Sequence, residues 1–181
     1  MSKRSSSRGK MKQREKRLEL IKQLWGDDAV FTWDRLTNDG FTTIPRYLPL
    51  VGRFMDELSN GAPLSSTYMA LWCRVFDEGL VSIQNKDCLA VESGFSSERG
   101  VSTWTTRMRK LEELGFISSR SSGAGEFSHV LIVHPIVAVR NLIEKRKIDN
   151  RITRALKERI IEVGAEWDIE DERDDDDVEE V

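Results

Sequence analysis

At 181 residues, with 39% hydrophobic and 33% charged residues, the chain has room for one ordinary core with appendages, a balance that suits a small binding module better than a large enzyme. The net charge of −3 hides two opposed ends: residues 1–22 hold nine Lys or Arg against two Glu, a net +7, residues 166–181 hold eleven acids against Arg173, a net −10, and the middle is neutral. No run of about 18 apolar residues is present to span a bilayer, and the basic start has no apolar stretch behind it, so the expectation is a soluble, cytoplasmic protein with no membrane partner.

Residues 1–10, "MSKRSSSRGK", have no periodic apolar positions and read as a flexible basic arm. From Met11 the apolar residues Leu18, Ile21, Leu24 and Trp25 recur at helical spacing, which predicts an amphipathic helix ending at Gly26. A loop with a turn at Asn38, Asp39 and Gly40 follows. A second helix over Tyr47–Leu58 carries Leu50, Val51, Phe54, Met55 and Leu58 as one stripe, closing an N-terminal helical region at 11–62.

The next predicted helix is capped by Ser65 or Ser66 and runs to about Phe76, its wide apolar set suggesting burial on more than one side. A glycine turn and a short strand, Leu80–Ile83, lead to "LAVESGFSSERGVSTWTTRMRKLEELGFI", Leu89–Ile117. In this stretch Val101, Trp104, Met108, Leu111 and Leu114 follow spacings of three and four and face a core. Two β-capable runs with Ser and Gly between them, "SSRSSGAGEFSHVLIVHP", form a hairpin with an extended polar tip, closed by Pro135. Helical patterns return through Ile136, Val139, Leu142 and Ile143, then through Ile152, Leu156, Ile160 and Val163, with Asp149 and Asn150 as caps between them, so 136–165 is a pair of C-terminal helices. Residues 166–181 repel one another and read as a disordered acidic tail.

The order helix, strand, helix, tight turn, helix, strand, loop, strand over residues 63–135 resembles the winged helix-turn-helix family of DNA-binding domains, of the bacterial regulator or plasmid and mobile-element maintenance type. The resemblance implies a mainly α fold with a small β-hairpin wing and flanking N- and C-terminal helices. "LAVESGFS" stands where the family has its first helix and turn, and "SERGVSTWTTRMRKLEELGFI" where it has the recognition helix running into the wing. On that resemblance Gly94 ends the first helix in a left-handed conformation, Phe95 packs into the turn, Ser96 or Ser97 caps the next helix, and Gly115 permits the passage into the sheet.

The recognition helix would place short hydroxyls at its start and cations a turn later, as a helix in a major groove requires. The expected DNA-binding residues are Ser97, Arg99, Ser102, Thr103, Thr106, Arg107, Arg109 and Lys110, with Arg99, Thr103 and Arg107 foremost for base edges, and Arg120 and Ser122 in the wing. Against this stands the plainer reading that Arg107, Arg109 and Lys110 only solvate a helix that also bears Glu98, Glu112 and Glu113. Trp104, on the apolar stripe, reads as core rather than as a stacking platform.

No phosphate-binding loop, dinucleotide glycine fingerprint or zinc-spaced cysteine cluster is present, so neither an enzyme, a cofactor nor a metal is expected. Cys73 and Cys88 read as reduced, packed thiols, and His129 and His134 as unable to share a metal. The expected partner is double-stranded DNA, bound sequence-specifically by a transcriptional regulator or a plasmid replication or maintenance accessory factor. The alternative is a winged-helix scaffold that binds protein through its flanking helices or acidic tail without reading bases; a third reading is an RNA- or single-strand binder. The flanking helices point to a homodimer or else pack on their own domain. The basic arm would raise nonspecific affinity by counterion release, and the acidic tail would either compete with DNA for that surface or only solubilise the chain.

Overall fold

The computed structural model describes residues 3–26, 32–123, 125–146, 148 and 150–167. The expected cap at Asp149 and the acidic tail beyond Trp167 lie outside the described residues. The chain divides into two units, Met1–Phe41 and Thr42–Val181. The segment read as one helical region over 11–62 is therefore split, its second helix belonging to the larger unit.

The first unit is built on α1 (Lys3–Trp25). The helix starts well before Met11, so the segment expected to be a flexible arm is helical from Lys3. Ser, Arg and Lys are tolerated in a helix, and the lone Gly9 costs only about 1 kcal/mol against continuation of the helix behind it. Arg14 forms an ion pair with Asp34, whose carboxylate also accepts from the Leu36 N–H at 2.9 Å. That backbone hydrogen bond foremost, with Arg14 adding to it, holds the Asp34 pKa below the ordinary carboxylate value. Trp33 and Phe41 meet edge to face with ring centroids 6.1 Å apart.

The second unit is mainly helical with a small, open, three-stranded antiparallel sheet. Its elements are α2 (Leu48–Glu57), α3 (Ser65–Trp72), β1 (Leu80–Ser82), α4 (Lys86–Glu92), α5 (Gly100–Glu113), β2 (Ile117–Ser122), β3 (Gly125–Ile132), α6 (Pro135–Arg146) and α7 (Arg151–Glu162). The strand order is β1-β3-β2. Val81 pairs with Val130, and Ile117 with Ile132, and all four side chains are buried in the core, while the rest of β2 is half-buried or exposed. The largest side chains buried there are Trp104, Tyr68, Phe54, Phe116 and Phe127.

Helix α3 begins without the serine cap expected at Ser65 or Ser66. Its N-cap position is Leu64, and the cap comes from α2: the Asp56 carboxylate accepts from Leu64 N–H at 2.6 Å, Ser65 N–H at 2.9 Å and the Ser65 hydroxyl at 2.7 Å. The helix ends at Trp72, short of the expected Phe76, which is 89% exposed. The chain leaves the helix there to run β1 beside β3; Thr42 holds the exit by donating to the Val75 carbonyl at 3.0 Å. Cys73 and Cys88 are free but exposed rather than packed, because Cys73 falls at this helix end and Cys88 on the outer side of the short α4.

Helices α6 and α7 bury Ile136, Val139, Leu142, Leu156 and Ile160, and both pack against α2. Their apolar stripes are thus satisfied within the unit. Asn150 caps α7, accepting from the Thr153 N–H at 2.9 Å as its position before an apolar pattern predicts. Among the described residues no helix is long and apolar enough to cross a membrane.

Candidate nucleic-acid interface

Helices α4 and α5 are joined by a turn whose geometry rests on two glycines. Gly94, at φ 90°, takes the left-handed conformation expected at the end of α4, and the Phe95 N–H then reaches back to the Ala90 carbonyl at 2.8 Å. Gly100 opens α5 against the same turn, so close that a Cβ there would collide with the Phe95 carbonyl oxygen. The expected Ser96 or Ser97 cap does not form. The N-cap position is Arg99, with no side-chain cap, and Ser97 instead offers its carbonyl to the Gly100 N–H at 2.7 Å, which tightens the turn by one residue before the helix starts. The first turn of α5 contains no acidic residue, so the positive end of its dipole is not neutralised from within.

Gly100, Trp104, Met108 and Leu111 form the buried face of α5. The expected contact residues sort into two rows on the remainder of the helix. Ser102, Thr106 and Arg109 follow one another at four and three residues, all exposed, and Arg99 precedes them by three. Thr103, Arg107 and Lys110 form a parallel row that is half-buried. A helical projection of the sequence already contains this division, since the first row lies opposite Trp104 and Met108 and the second lies at the edge of the apolar face.

The two rows differ chemically. Arg107 lays its guanidinium over the Phe95 ring, 5.7 Å from the centroid, and its Nε is buried without a protein hydrogen-bond partner. Lys110 reaches Glu113 at 2.7 Å. Thr106 donates to the Ser102 carbonyl at 3.0 Å, which leaves its oxygen lone pairs and methyl group outward. Arg99 forms no ion pair among the described residues. Arg109 is held by a group outside its own helix: Glu126 on β3 accepts from its Nε at 2.9 Å and its Nη2 at 2.7 Å. This hydrogen bonding raises the Arg109 pKa and lowers that of Glu126, so both remain charged. Of the carboxylates read as charge balance on this helix, Glu112 is instead structural, accepting from the Ser119 N–H of β2 at 2.7 Å.

The hairpin beside α5 is tighter than its composition suggests. Strand pairing continues to Ser122↔Gly125, so the polar tip is mostly ladder. Between Arg120↔His129 and Ser122↔Gly125 the register shifts, setting three residues of β3 against one of β2. Phe127, at the centre of this bulge, has φ 62°, and both it and Ser128 are buried. The Ser128 hydroxyl accepts from the Ser122 N–H at 3.2 Å and donates to the Gly125 carbonyl, satisfying backbone groups that the shift leaves out of the ladder. Arg120 and Ser122 are exposed on β2, with Arg120 donating to the Ser119 carbonyl at 2.7 Å.

Elsewhere, an open depression of about 320 Å³ is lined by Tyr47, His134, Ile136, Gly164, Ala165 and Glu166, none of them an expected contact residue. His134 lies past the end of β3, and partial desolvation lowers its pKa. Among the described residues no group of three or more His, Cys, Asp or Glu is placed to hold a metal ion. No protein-family model, curated protein or solved structure matches the chain.

Proposed function

We propose that the second unit is a winged helix-turn-helix domain that binds double-stranded DNA sequence-specifically, with α4 and α5 as the helix-turn-helix, α5 as the recognition helix and the β2–β3 hairpin as the wing. The element order from α3 to β3 and the strand order β1-β3-β2 support the fold assignment. The observation that carries the functional reading is the exposed row Arg99, Ser102, Thr106 and Arg109 on the side of α5 away from the core. Such a row offers hydroxyls and guanidinium groups along about three helical turns, the length and chemistry suited to base edges in a major groove. A role as a transcriptional regulator or a plasmid replication or maintenance factor follows from the family resemblance of residues 63–135.

The test is binding of the full chain to random duplexes and to duplexes selected from a random library, at two salt concentrations, with Arg99→Ala and Arg109→Ala as variants. Salt-sensitive binding that either change weakens supports the reading. Binding that survives both changes moves the contact elsewhere, and absence of duplex binding by the unaltered chain refutes it.

A second reading, a protein-interaction scaffold, is favoured by a separate observation. Leu80 and Leu131 are cross-strand partners on the outer face of the sheet and are 50% and 52% exposed. That patch is independent of α5, so Leu131→Ser would leave DNA binding intact and weaken only a protein contact.

A further inference from the structure

The pairing of Arg109 with Glu126 has a chemical consequence for what α5 can read, which rests on the reading of α5 as a groove-entering helix. We propose that Arg109, oriented by Glu126, reads one guanine in the bound duplex, and that Glu126 is the positioning residue for that contact.

A guanidinium has five N–H groups in a planar fork. Glu126 takes two of them from one side, the Nε–H and one Nη2–H, at 2.9 and 2.7 Å. Of the other three, one on Nη1 and one on Nη2 lie along the end of the fork, and the second on Nη1 faces the far side. Parallel N–H groups from Nη1 and Nη2 match the O6 and N7 acceptors that guanine presents in the major groove. Adenine offers a donor, the N6 amino group, where guanine has O6, so the same edge discriminates against it. The Arg109 side chain remains 62% exposed within the pair, and it lies on the exposed row with Ser102 and Thr106.

The alternative for an exposed arginine is a phosphate contact, and the pair disfavours it. A cation gains affinity for a phosphate by displacing condensed counterions, whereas a guanidinium already neutralised by a bidentate carboxylate displaces few. Hydrogen-bond matching to a base edge survives neutralisation, because its selectivity is geometric. Fixing the fork beforehand also lowers the entropy lost when it docks.

Glu126 itself is placed by the core. Its neighbour Phe127 adopts φ 62° and buries its ring on Trp104, a residue of the same helix as Arg109, with centroids 6.0 Å apart. The bulge that carries Phe127 inward sets Glu126 toward the helix. Lys86, at the start of α4, stands over the adjacent Gly125 and adds to the field that keeps Glu126 ionised.

The experiment selects duplexes from a random library with the full chain. Affinities of the wild type, Arg109→Lys and Glu126→Gln are then measured for the best site, for its single-base substitutions and for random duplex over a salt series. Circular dichroism confirms folding, which these surface changes leave intact. The expected wild-type result is one G·C position whose replacement weakens binding by roughly ten- to a hundred-fold. Arg109→Lys removes that preference and leaves the other positions unchanged, since an ammonium cannot present two parallel donors. Glu126→Gln weakens the same preference while steepening the salt dependence on random duplex, because it frees the guanidinium charge. The proposal is overturned if Arg109→Lys leaves every base preference and the salt slope in place, the signature of a phosphate contact, which an ammonium makes as well as a guanidinium. A wild-type chain that binds no duplex would instead overturn the underlying reading, and an intact set of preferences in Arg109→Lys would overturn the Arg109 assignment alone.

Discussion

The rings of Trp104 and Phe127 meet edge to face with centroids 6.0 Å apart and planes at 82°, joining the longest helix of the second unit to the bulged strand of its hairpin. Phe127 reaches this position through a left-handed backbone conformation that is unfavourable for an aromatic residue. The contact offsets that strain by burying both rings, Trp104 at 0% and Phe127 at 1% exposure. Phe127→Ala removes the ring while retaining the awkward backbone, and the expected cost is about 3–5 kcal/mol in urea unfolding. A loss near zero would show that the hairpin holds its bulge without the ring.

Gly100→Ala is expected to reverse the usual sign of its substitution. In an open helix position alanine is favoured over glycine by about 1 kcal/mol. Here the new Cβ meets the Phe95 carbonyl oxygen, which is fixed by the turn, so the α4–α5 angle must open. The change should destabilise the unit by about 1–3 kcal/mol in chemical denaturation, with a corresponding fall in melting temperature. Gly123→Ala, with nothing within 4 Å of its Cβ, is the comparison that should show no such loss.

Asp56→Ala should cost about 1–2 kcal/mol in the same measurement, the range for loss of a helix cap. One carboxylate serves two backbone N–H groups and the Ser65 hydroxyl, so Asp56→Asn, which retains an acceptor oxygen, should lose less than Asp56→Ala. Equal losses for the two changes would contradict the capping role.

His134 gives a pH dependence. Its folded-state pKa is lowered by desolvation, so the unfolded chain binds the proton more readily. The neutral ring's contribution is present above the ordinary histidine value of about 6.5 and declines as the pH falls through that value toward the lower folded pKa. The melting temperature of the wild type should therefore drop on acidification between about pH 7 and 5 by more than that of His134→Asn. Identical slopes for the two proteins would exclude His134 as a source. The residue is exposed and its ring only partly desolvated, so the difference should be small.

What the amino-acid order determined by itself is the set of local features. Apolar residues at three- and four-residue spacing set the buried face of α5, Asn150 ahead of its apolar pattern set a cap, and Gly94 marked where α4 must turn, because each depends on backbone geometry within a few residues. The sorting of the expected contacts into an exposed row through Arg109 and a half-buried row through Arg107 was equally within reach of a helical projection. Tertiary structure alone decided the partners. Glu126 meets Arg109 across 17 residues, Glu112 holds a strand N–H, and Asp56 caps a helix that starts nine residues further on. These pairings arise because packing Trp104, Phe127 and Phe116 into one core brings distant backbone segments together, and only then does an unsatisfied donor find its acceptor.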